Sequence, residues 1–454
     1  MARAELVLGP VVPGGAVAAR PATGRRRPPA AGRPRLRRKL VVVGQGHVGL
    51  PIAVRAAGRG FEVVGLDSDE EKVLTLANGQ SDVDDVAHRD LCRMIELGRY
   101  VASVDPADCD DFDVAVIAVP TPLADGLPDL RAVIAATESL AQYVRPGCTV
   151  ILESTTYPGT TEDVLRPRLE AGSRLVAGRD FHLGYSPERI DPGNRDYPFW
   201  EIPKVVSGID DGSLEAVDAF YSAIVRRTVR VRSTRVAELT KLLENTFRHV
   251  NTALVNELAI VARDLGIDIR EVIDAASTKP FGFMRLDPGP GVGGHCLPID
   301  PSYLSWKVER TLGRRFRFVD LANDVNRHMP DYVVERVIAA LNRRRRSVNG
   351  SRLLLLGLAY KRNSSDGRES PAREVARKLV ALGAEVRAHD DHVGPSEFDA
   401  GVQRAPLSSD ELAQADLVVI LTDHDDVPYG LVADSTVDVL DTRNRLRAPR
   451  VEQL

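Results

Sequence analysis

Lys39-Leu40-Val41-Val42-Val43, followed at once by Gly44-Gln45-Gly46-His47-Val48-Gly49, decides the fold. A short β-rich apolar run, a glycine turn and a helix-compatible stretch form a strand, turn and helix. The first glycine permits the tight turn, the second lets backbone N–H groups meet a pyrophosphate, and the third lets the helix pack on the sheet. Gly44, Gln45, Gly46, His47, Val48 and Gly49 are therefore read as a dinucleotide loop. A second strand, Phe61-Glu62-Val63-Val64-Gly65-Leu66, ends at Asp67, about twenty residues on, where a carboxylate can bind a ribose 2′-OH. It would repel a 2′-phosphate, so NAD is expected rather than NADP. Lys72, one turn further, sits either beside the adenosine or in solvent on its helix.

The α/β pattern continues. Asp113-Val114-Ala115-Val116-Ile117-Ala118-Val119 reads as a buried strand that runs into Pro120-Thr121-Pro122, a polar turn where a doubly wound sheet places its ligand. Thr149-Val150-Ile151-Leu152 ends in Glu153-Ser154-Thr155-Thr156-Tyr157. There Glu153 is either a capping or surface carboxylate or, beside three hydroxyls, a group placed for proton transfer, and the latter fits its position better. Tyr185-Ser186-Pro187-Glu188-Arg189 adds polar groups near the same rim without a definite role.

Composition narrows the class. The 454 residues suffice for two or three domains, and 43% hydrophobic with 27% charged residues reads as a soluble globular chain. A net charge of −4 gives no reason to expect nucleic acid as partner, and no run of about eighteen apolar residues suggests a membrane span. Cys92, Cys109, Cys148 and Cys296 have neither the density of a disulfide scaffold nor zinc-site spacing, so no metal is expected and a cytoplasmic setting fits. The first three are read as packing residues. Residues 1–37, rich in Ala, Gly, Pro and Arg, read as a disordered tail, with an anion-binding arm or transit peptide as the alternative.

From Ser233 to Leu265, apolar residues recur at helical spacing without proline. A helix of about thirty residues spans about 45 Å and can bridge domains or carry a subunit interface. Its stripe (Val236, Leu239, Leu242, Leu243, Phe247, Val250, Leu254, Leu258, Ile260, Val261) reads as core. Lys241 and Asn245 share a face off that stripe; they are either solvated or an oxyanion-stabilising ammonium with a water-holding amide. Beyond lies Gly289-Pro290-Gly291-Val292-Gly293-Gly294-His295-Cys296-Leu297-Pro298-Ile299-Asp300-Pro301. Gly289, Gly291 and Gly293 let backbone approach a ligand closely, and Asp300, four residues after Cys296, can hold a polar group. Cys296 is read as a nucleophile against the alternative of a buried structural thiol. After the basic run Arg343 to Arg346, read as covering a helix face, strands at 352–361, 385–390, 417–422 and 437–441 alternate with a helix at 371–382. They imply a second parallel sheet.

Taken together, these motifs resemble those of the UDP-glucose/GDP-mannose dehydrogenase family over residues 38 to 446. The resemblance implies an α/β architecture of two Rossmann-like doubly wound parallel-sheet domains joined by a long helix and a central helical dimerisation domain. Its divisions are an NAD domain at 38–230, a helical domain with the cysteine loop at 231–345 and a UDP-sugar domain at 346–454. It further implies a homodimer and a four-electron oxidation of a nucleotide sugar at C6, through a cysteine thiohemiacetal and thioester, to a uronate. Residue by residue, Cys296 matches the nucleophile and Lys241 the oxyanion-stabilising ammonium. Asn245 and Asp300 match the residues holding water and the reacting oxygen, and Glu153 the acid/base. Thr121 and Thr155 fall at the cofactor, Arg368 matches an arginine reaching it, Lys361 one beside the substrate, and Arg285 is the candidate donated across a dimer. The form GPGVGGHC followed by PxDP resembles the branch acting on UDP-N-acetylhexosamines, UDP-N-acetylglucosamine in particular. UDP-glucose, UDP-N-acetylmannosamine and a catalytically silent nucleotide-sugar-binding protein are the alternatives, and the intact set of site residues argues against the last.

Overall fold

Leu40 and Val42 point to one side of strand β1 (Lys39–Val43), Val41 and Val43 to the other, and all four are buried. Burial on both faces is what a near-continuous apolar run selects, namely the interior of a parallel sheet. The computed structural model describes residues 38–454 except 84, 125, 192–195 and 295, with the backbone but not the side chains of 296 and 298. The expectation for residues 1–37 lies outside the described residues.

Around β1 assemble β2 (Glu62–Leu66), β3 (Tyr100–Ser103), β4 (Val114–Ile117), the small hairpin β5 (Leu123–Ala124) and β6 (Leu127–Pro128), β7 (Thr149–Leu152), β8 (His182–Tyr185), β9 (Lys204–Gly208) and β10 (Thr228–Arg230). The hairpin stands apart; the other eight form one sheet in the order β3-β2-β1-β4-β7-β8-β9-β10. Leu40 pairs with Val63 on one side and Val114 on the other, both parallel. Only β8 against β9 runs antiparallel, through Gly184↔Gly208 and Tyr185↔Ser207. Helices Gly49–Gly58 and Asp211–Ile224 cover the Leu40 face and helix Arg131–Ala141 the Val41 face, so the sheet is doubly wound.

A second sheet follows: β11 (Arg352–Leu356), β12 (Glu385–His389), β13 (Val402–Arg404), β14 (Leu417–Ile420), β15 (Val439–Asp441) and β16 (Val451–Gln453). Its order is β13-β12-β11-β14-β15-β16 and all its pairings are parallel. Strands β13 and β16 were not anticipated. Each is a three-residue edge strand with one apolar residue, too short to carry a period. The basic run meets acids of this sheet's domain: Arg343 pairs with Glu452, Arg344 with Asp438 and Arg346 with Asp416.

Between the sheets the expected long helix runs Thr234–Asp264, 31 residues, capped by the Ser233 side chain, which accepts from Val236 N at 3.3 Å. Its faces are the reverse of the sequence reading. Leu239, Leu243, Phe247, Leu254, Leu258 and Val261 are exposed, Leu243 to 64% and Phe247 to 50%, whereas Glu238, Lys241, Asn245, His249 and Asn256 are buried. The polar face packs inward on helices Cys296–Leu312 and Arg317–Arg343 and on the strand ends. Only Leu242 of the large residues on the predicted stripe belongs to the core.

Candidate active site

Strands β1 and β4 part at the switch point of the first sheet. A Cβ at Gly44, whose φ is +90°, would lie 2.5 Å from Ala118 O, and one at Gly49 would lie 1.8 Å from Gly44 O. At Gly46 nothing stands within 4 Å, which leaves its backbone open to a ligand. The Asp67 carboxylate accepts from Gln45 N at 2.8 Å and from Asp69 N at 3.1 Å, placing it over the turn. His47 Nδ1 is buried and has no hydrogen-bond partner among the described residues. An open glycine, an orphaned ring nitrogen and a carboxylate at the end of β2 fit a dinucleotide with a free ribose diol.

Two of the expected cofactor contacts differ. The Gln45 side chain lies beneath the turn, fully buried, donating Nε2 to Val42 O at 2.7 Å and accepting from Tyr100 OH at 3.0 Å. It shapes the loop, and its side chain does not face a ligand. Lys72 pairs with Asp82 at 2.9 Å and pins a loop. Thr121 is buried beside Tyr303, whose hydroxyl donates to Pro122 O at 3.1 Å. Thr155 is half-buried, and the neighbouring Thr156 Oγ1 is buried with no partner among the described residues.

The catalytic candidates converge where the long helix faces helix Cys296–Leu312. Lys241 Nζ stands 3.0 Å from Glu188 Oε2, and Asn245 Nδ2 donates to Asp300 Oδ2. Asp300 lies one helical turn after Cys296, hence on the same face; the Cys296 side chain is outside the described residues. Burial pushes the Asp300 carboxyl up to about 6, with Glu188 adding to the rise and Lys241 and Asn245 opposing it. Cys109 and Cys148 are buried in the core, their thiols raised to about 11 by burial, which makes them poor nucleophiles.

Glu153 is not the open rim carboxylate the sequence suggested. It is fully buried, paired with Lys204 Nζ and accepting from Tyr221 OH at 2.5 Å. Burial pushes its carboxyl up, against the pull of Lys204. The carboxylate against Lys241 is Glu188, which sequence reasoning had left without a role. Its signal was present, since Glu188 follows β8 much as Glu153 follows β7, in a polar run at a strand's carboxyl end. Glu238 was likewise missed. Buried on the long helix, it accepts from Gly159 N at 2.6 Å and Thr161 N at 2.9 Å and so binds that helix to the loop after β7.

The glycines of the cysteine loop serve close packing against the second-sheet domain. A Cβ at Gly293 would lie 2.7 Å from Pro371 Cδ, one at Gly291 3.2 Å from Asn326 O, and one at Gly289 2.7 Å from Arg443 Nη1. That packing holds Tyr360 and Pro371 against the loop. Lys361 reaches Asp191 at 2.9 Å, three residues past Glu188. Arg368 forks onto Asp366 through bonds of 2.9 and 2.8 Å, and His47 of the glycine turn is close enough to Asp366 to lower its carboxyl further. Arg285 is bound on the surface by Asp274 at 2.6 Å and Asp287 at 3.0 Å.

Three family models cover the chain: the NAD binding domain of the UDP-glucose/GDP-mannose dehydrogenase family at residues 38–225, its central domain at 235–328 and its UDP binding domain at 354–448. The chain belongs to this family. It is therefore an NAD-dependent enzyme oxidising a UDP-sugar, with the family's two Rossmann-like domains. A UDP-N-acetyl-D-glucosamine 6-dehydrogenase of Pseudomonas aeruginosa is 36% identical over 388 residues, covering 85% of this chain and 90% of the relative. A UDP-N-acetyl-D-mannosamine dehydrogenase of Methanocaldococcus jannaschii is 33% identical over 399 residues, 86% of each. The solved UDP-D-ManNAc dehydrogenase of Pyrococcus horikoshii is similar at a TM-score of 0.83 and 30% identity, covering 91% of this dehydrogenase and 98% of that chain. Among the described residues no helix is long and apolar enough to cross a membrane.

Proposed function

We propose that this family member oxidises UDP-N-acetylglucosamine at C6 to the uronate, with Cys296 as the covalent nucleophile. The observation that carries the reading is the pair of buried contacts Lys241 to Glu188 and Asn245 to Asp300, the second made on the Cys296 helix itself, one turn from its start. NAD, when bound, accepts one hydride in each of the two oxidations; Gly46, Asp67 and His47 would hold it. The chain's own residues do the rest. The Lys241 ammonium stabilises oxygen that becomes anionic at C6 and favours the Cys296 thiolate. That thiolate adds to the aldehyde carbon, and oxidation of the resulting thiohemiacetal leaves a thioester. Asn245 and Asp300 position a water, which attacks the thioester carbon, and the sulfur leaves with the C–S pair. Glu188, the carboxylate that faces Lys241, accepts the proton from that water, the role first expected of Glu153. Overall one alcohol, two NAD and one water give one carboxylate, two NADH and three protons.

The preference for UDP-N-acetylglucosamine rests on the GPGVGGHC loop and the Pseudomonas relative. UDP-N-acetylmannosamine is the second reading, favoured by the Pyrococcus likeness. We assign the domains as 38–230, 231–345 and 346–454, with action as a homodimer in the cytoplasm. The outward apolar face of helix Thr234–Asp264 supports the dimer. The test is NAD reduction by purified protein against UDP-glucose, UDP-N-acetylglucosamine, UDP-N-acetylmannosamine and GDP-mannose, counting NADH per sugar. Two NADH with UDP-N-acetylglucosamine and little with the others is the expected result; preference for another donor replaces the sugar assignment.

A further inference from the structure

Glu153, Lys204 and Tyr221 form a buried charged cluster that the chemistry above does not use. Glu153 and Tyr221 are fully buried and Lys204 is 5% exposed. Ion pairs this deep are poor stabilisers, because desolvating both charges offsets their attraction, and apolar residues of equal volume often serve the fold as well. The geometry shows what else the cluster touches. Lys204 Nζ, besides pairing with Glu153, donates to Pro187 O at 2.9 Å, and Pro187 immediately precedes Glu188.

The backbone there loses its pairing with β9, while Ser186 N still donates to Leu152 O of β7 at 3.0 Å. Strands β8 and β9 pair only through Gly184↔Gly208 and Tyr185↔Ser207, after which the chain departs through Ser186 and Pro187. Side chains replace the missing bonds. Ser207 Oγ donates to Tyr185 O and Ser186 Oγ to Val205 O, each at 2.7 Å, and Lys204 takes Pro187 O. On the far side Arg189 is held by Pro203 O and by Glu244 of the long helix. Glu188 therefore hangs between two anchors, and the upstream one is the ammonium that Glu153 and Tyr221 hold in place.

We propose that Glu153, Lys204 and Tyr221 are positioning residues that fix the Pro187 carbonyl and thereby aim the Glu188 carboxylate at Lys241 and the Cys296 site. The inference rests on the reading of Glu188 as the group that accepts a proton there. A misplacement of the order of an ångström at a reacting group costs up to about 100-fold in rate, so the cluster is read through turnover and not through stability.

The double variant Glu153→Gln with Lys204→Met removes the buried charges together and leaves an amide for the Tyr221 hydroxyl. With NAD and the preferred UDP-sugar, it is expected to fold and to keep both KM values within about twofold while kcat falls about 10- to 100-fold. Its kcat–pH profile should also shift. In a Glu188→Gln background the same pair of changes should cost almost nothing further in kcat, since residues acting through one group are not additive. Wild-type kcat and pH profile in the folded double variant would overturn the proposal. So would a full additive loss in the Glu188→Gln background. Should the double variant fail to fold, Tyr221→Phe, which removes one hydroxyl, is expected to lower kcat several-fold at constant KM, and an unchanged kcat would overturn it. Wild-type turnover by Glu188→Gln would remove the underlying reading; an inactive Glu188→Gln beside a fully active double variant would remove only the positioning role.

Discussion

Lys241 Nζ and Glu188 Oε2 stand 3.0 Å apart, both side chains under a tenth exposed, bringing together a helix and a strand end 53 residues apart. The contact sets a candidate oxyanion stabiliser directly beside a candidate proton acceptor. Glu188→Gln is expected to lower kcat by about 100- to 10,000-fold, the range for losing a general base, with KM for the sugar little changed. Steady-state kinetics check it. A variant that loses affinity but keeps kcat would assign Glu188 to binding.

Asp300 titrates in the opposite sense from an ordinary salt-bridged aspartate. Its carboxyl is raised from 3.8 to about 6, chiefly by burial. Between those values the folded state holds a proton that the unfolded chain has released. Stability from this group is therefore present below about pH 4, falls as pH rises towards 6, and stays lower above it, by an amount on the order of 3 kcal/mol. Asp300→Asn should remove that slope. The difference in Tm between variant and wild type is expected to be larger at pH 8 than at pH 4.5, while uronate formation is lost. Equal differences at the two pH values would mean that Asp300 is not raised in the folded protein.

How much of this was legible depends on distance along the chain. The glycine turn and Asp67 at the end of β2 were readable because each follows from a few neighbouring residues. The pairing of Lys241 and Asn245 on one face was readable from helical spacing. Which way that face points was not. The usual rule turns large apolar residues inward, and here Leu243 and Phe247 face out while Lys241 and Asn245 are buried. The role of Glu188 was hidden for a related reason. Nothing local distinguishes it from Glu153; what does is that one meets Lys241 and the other Lys204, contacts spanning 53 and 51 residues. The cysteine-loop glycines looked like ligand contacts because their packing partners, Pro371 and Tyr360, lie more than 60 residues downstream.

Selectivity for NAD is assigned to the Asp67 carboxylate, held over the turn by Gln45 N at 2.8 Å. Asp67→Asn keeps an acceptor for that backbone N–H and removes the charge, so the turn should survive. Loss of a charged hydrogen bond of about 1.5–3 kcal/mol predicts a rise in KM for NAD of about 10- to 100-fold. Discrimination against NADP should relax by a similar factor, measured as the ratio of kcat/KM values. Unchanged discrimination would place the ribose contact elsewhere.

Two glycines of one loop should behave oppositely. A Cβ at Gly49 would sit 1.8 Å from Gly44 O, whereas one at Gly46 meets nothing within 4 Å. Gly49→Ala is therefore expected to cost about 3 kcal/mol or more, since backbone must move to house it. Gly46→Ala should leave Tm almost unchanged while raising KM for NAD at least about tenfold, because the methyl fills space where a pyrophosphate would approach. Thermal melts with NAD titrations separate the two. A destabilised Gly46→Ala would show that its surroundings are closed.

The outward face of helix Thr234–Asp264 carries Leu239, Leu243, Phe247, Leu254, Leu258 and Val261, each more than two-fifths exposed. Such a continuous apolar face on one long helix is far more than scattered surface residues explain, and a second copy of the same helix is its simplest cover. In a two-fold dimer each residue near the axis meets its own kind, so one added carboxylate per chain becomes two facing charges in a desolvated centre. Leu243→Asp and Phe247→Asp are each expected to weaken association at least about 30-fold, the loss of a buried anchor worth 2 kcal/mol or more. Neither side chain belongs to the chain's own core, so the isolated fold should keep its far-UV circular dichroism. Sedimentation across a range of protein concentrations decides the matter: a wild-type dimer with monomeric variants supports the interface, and a wild-type monomer at micromolar concentration refutes it.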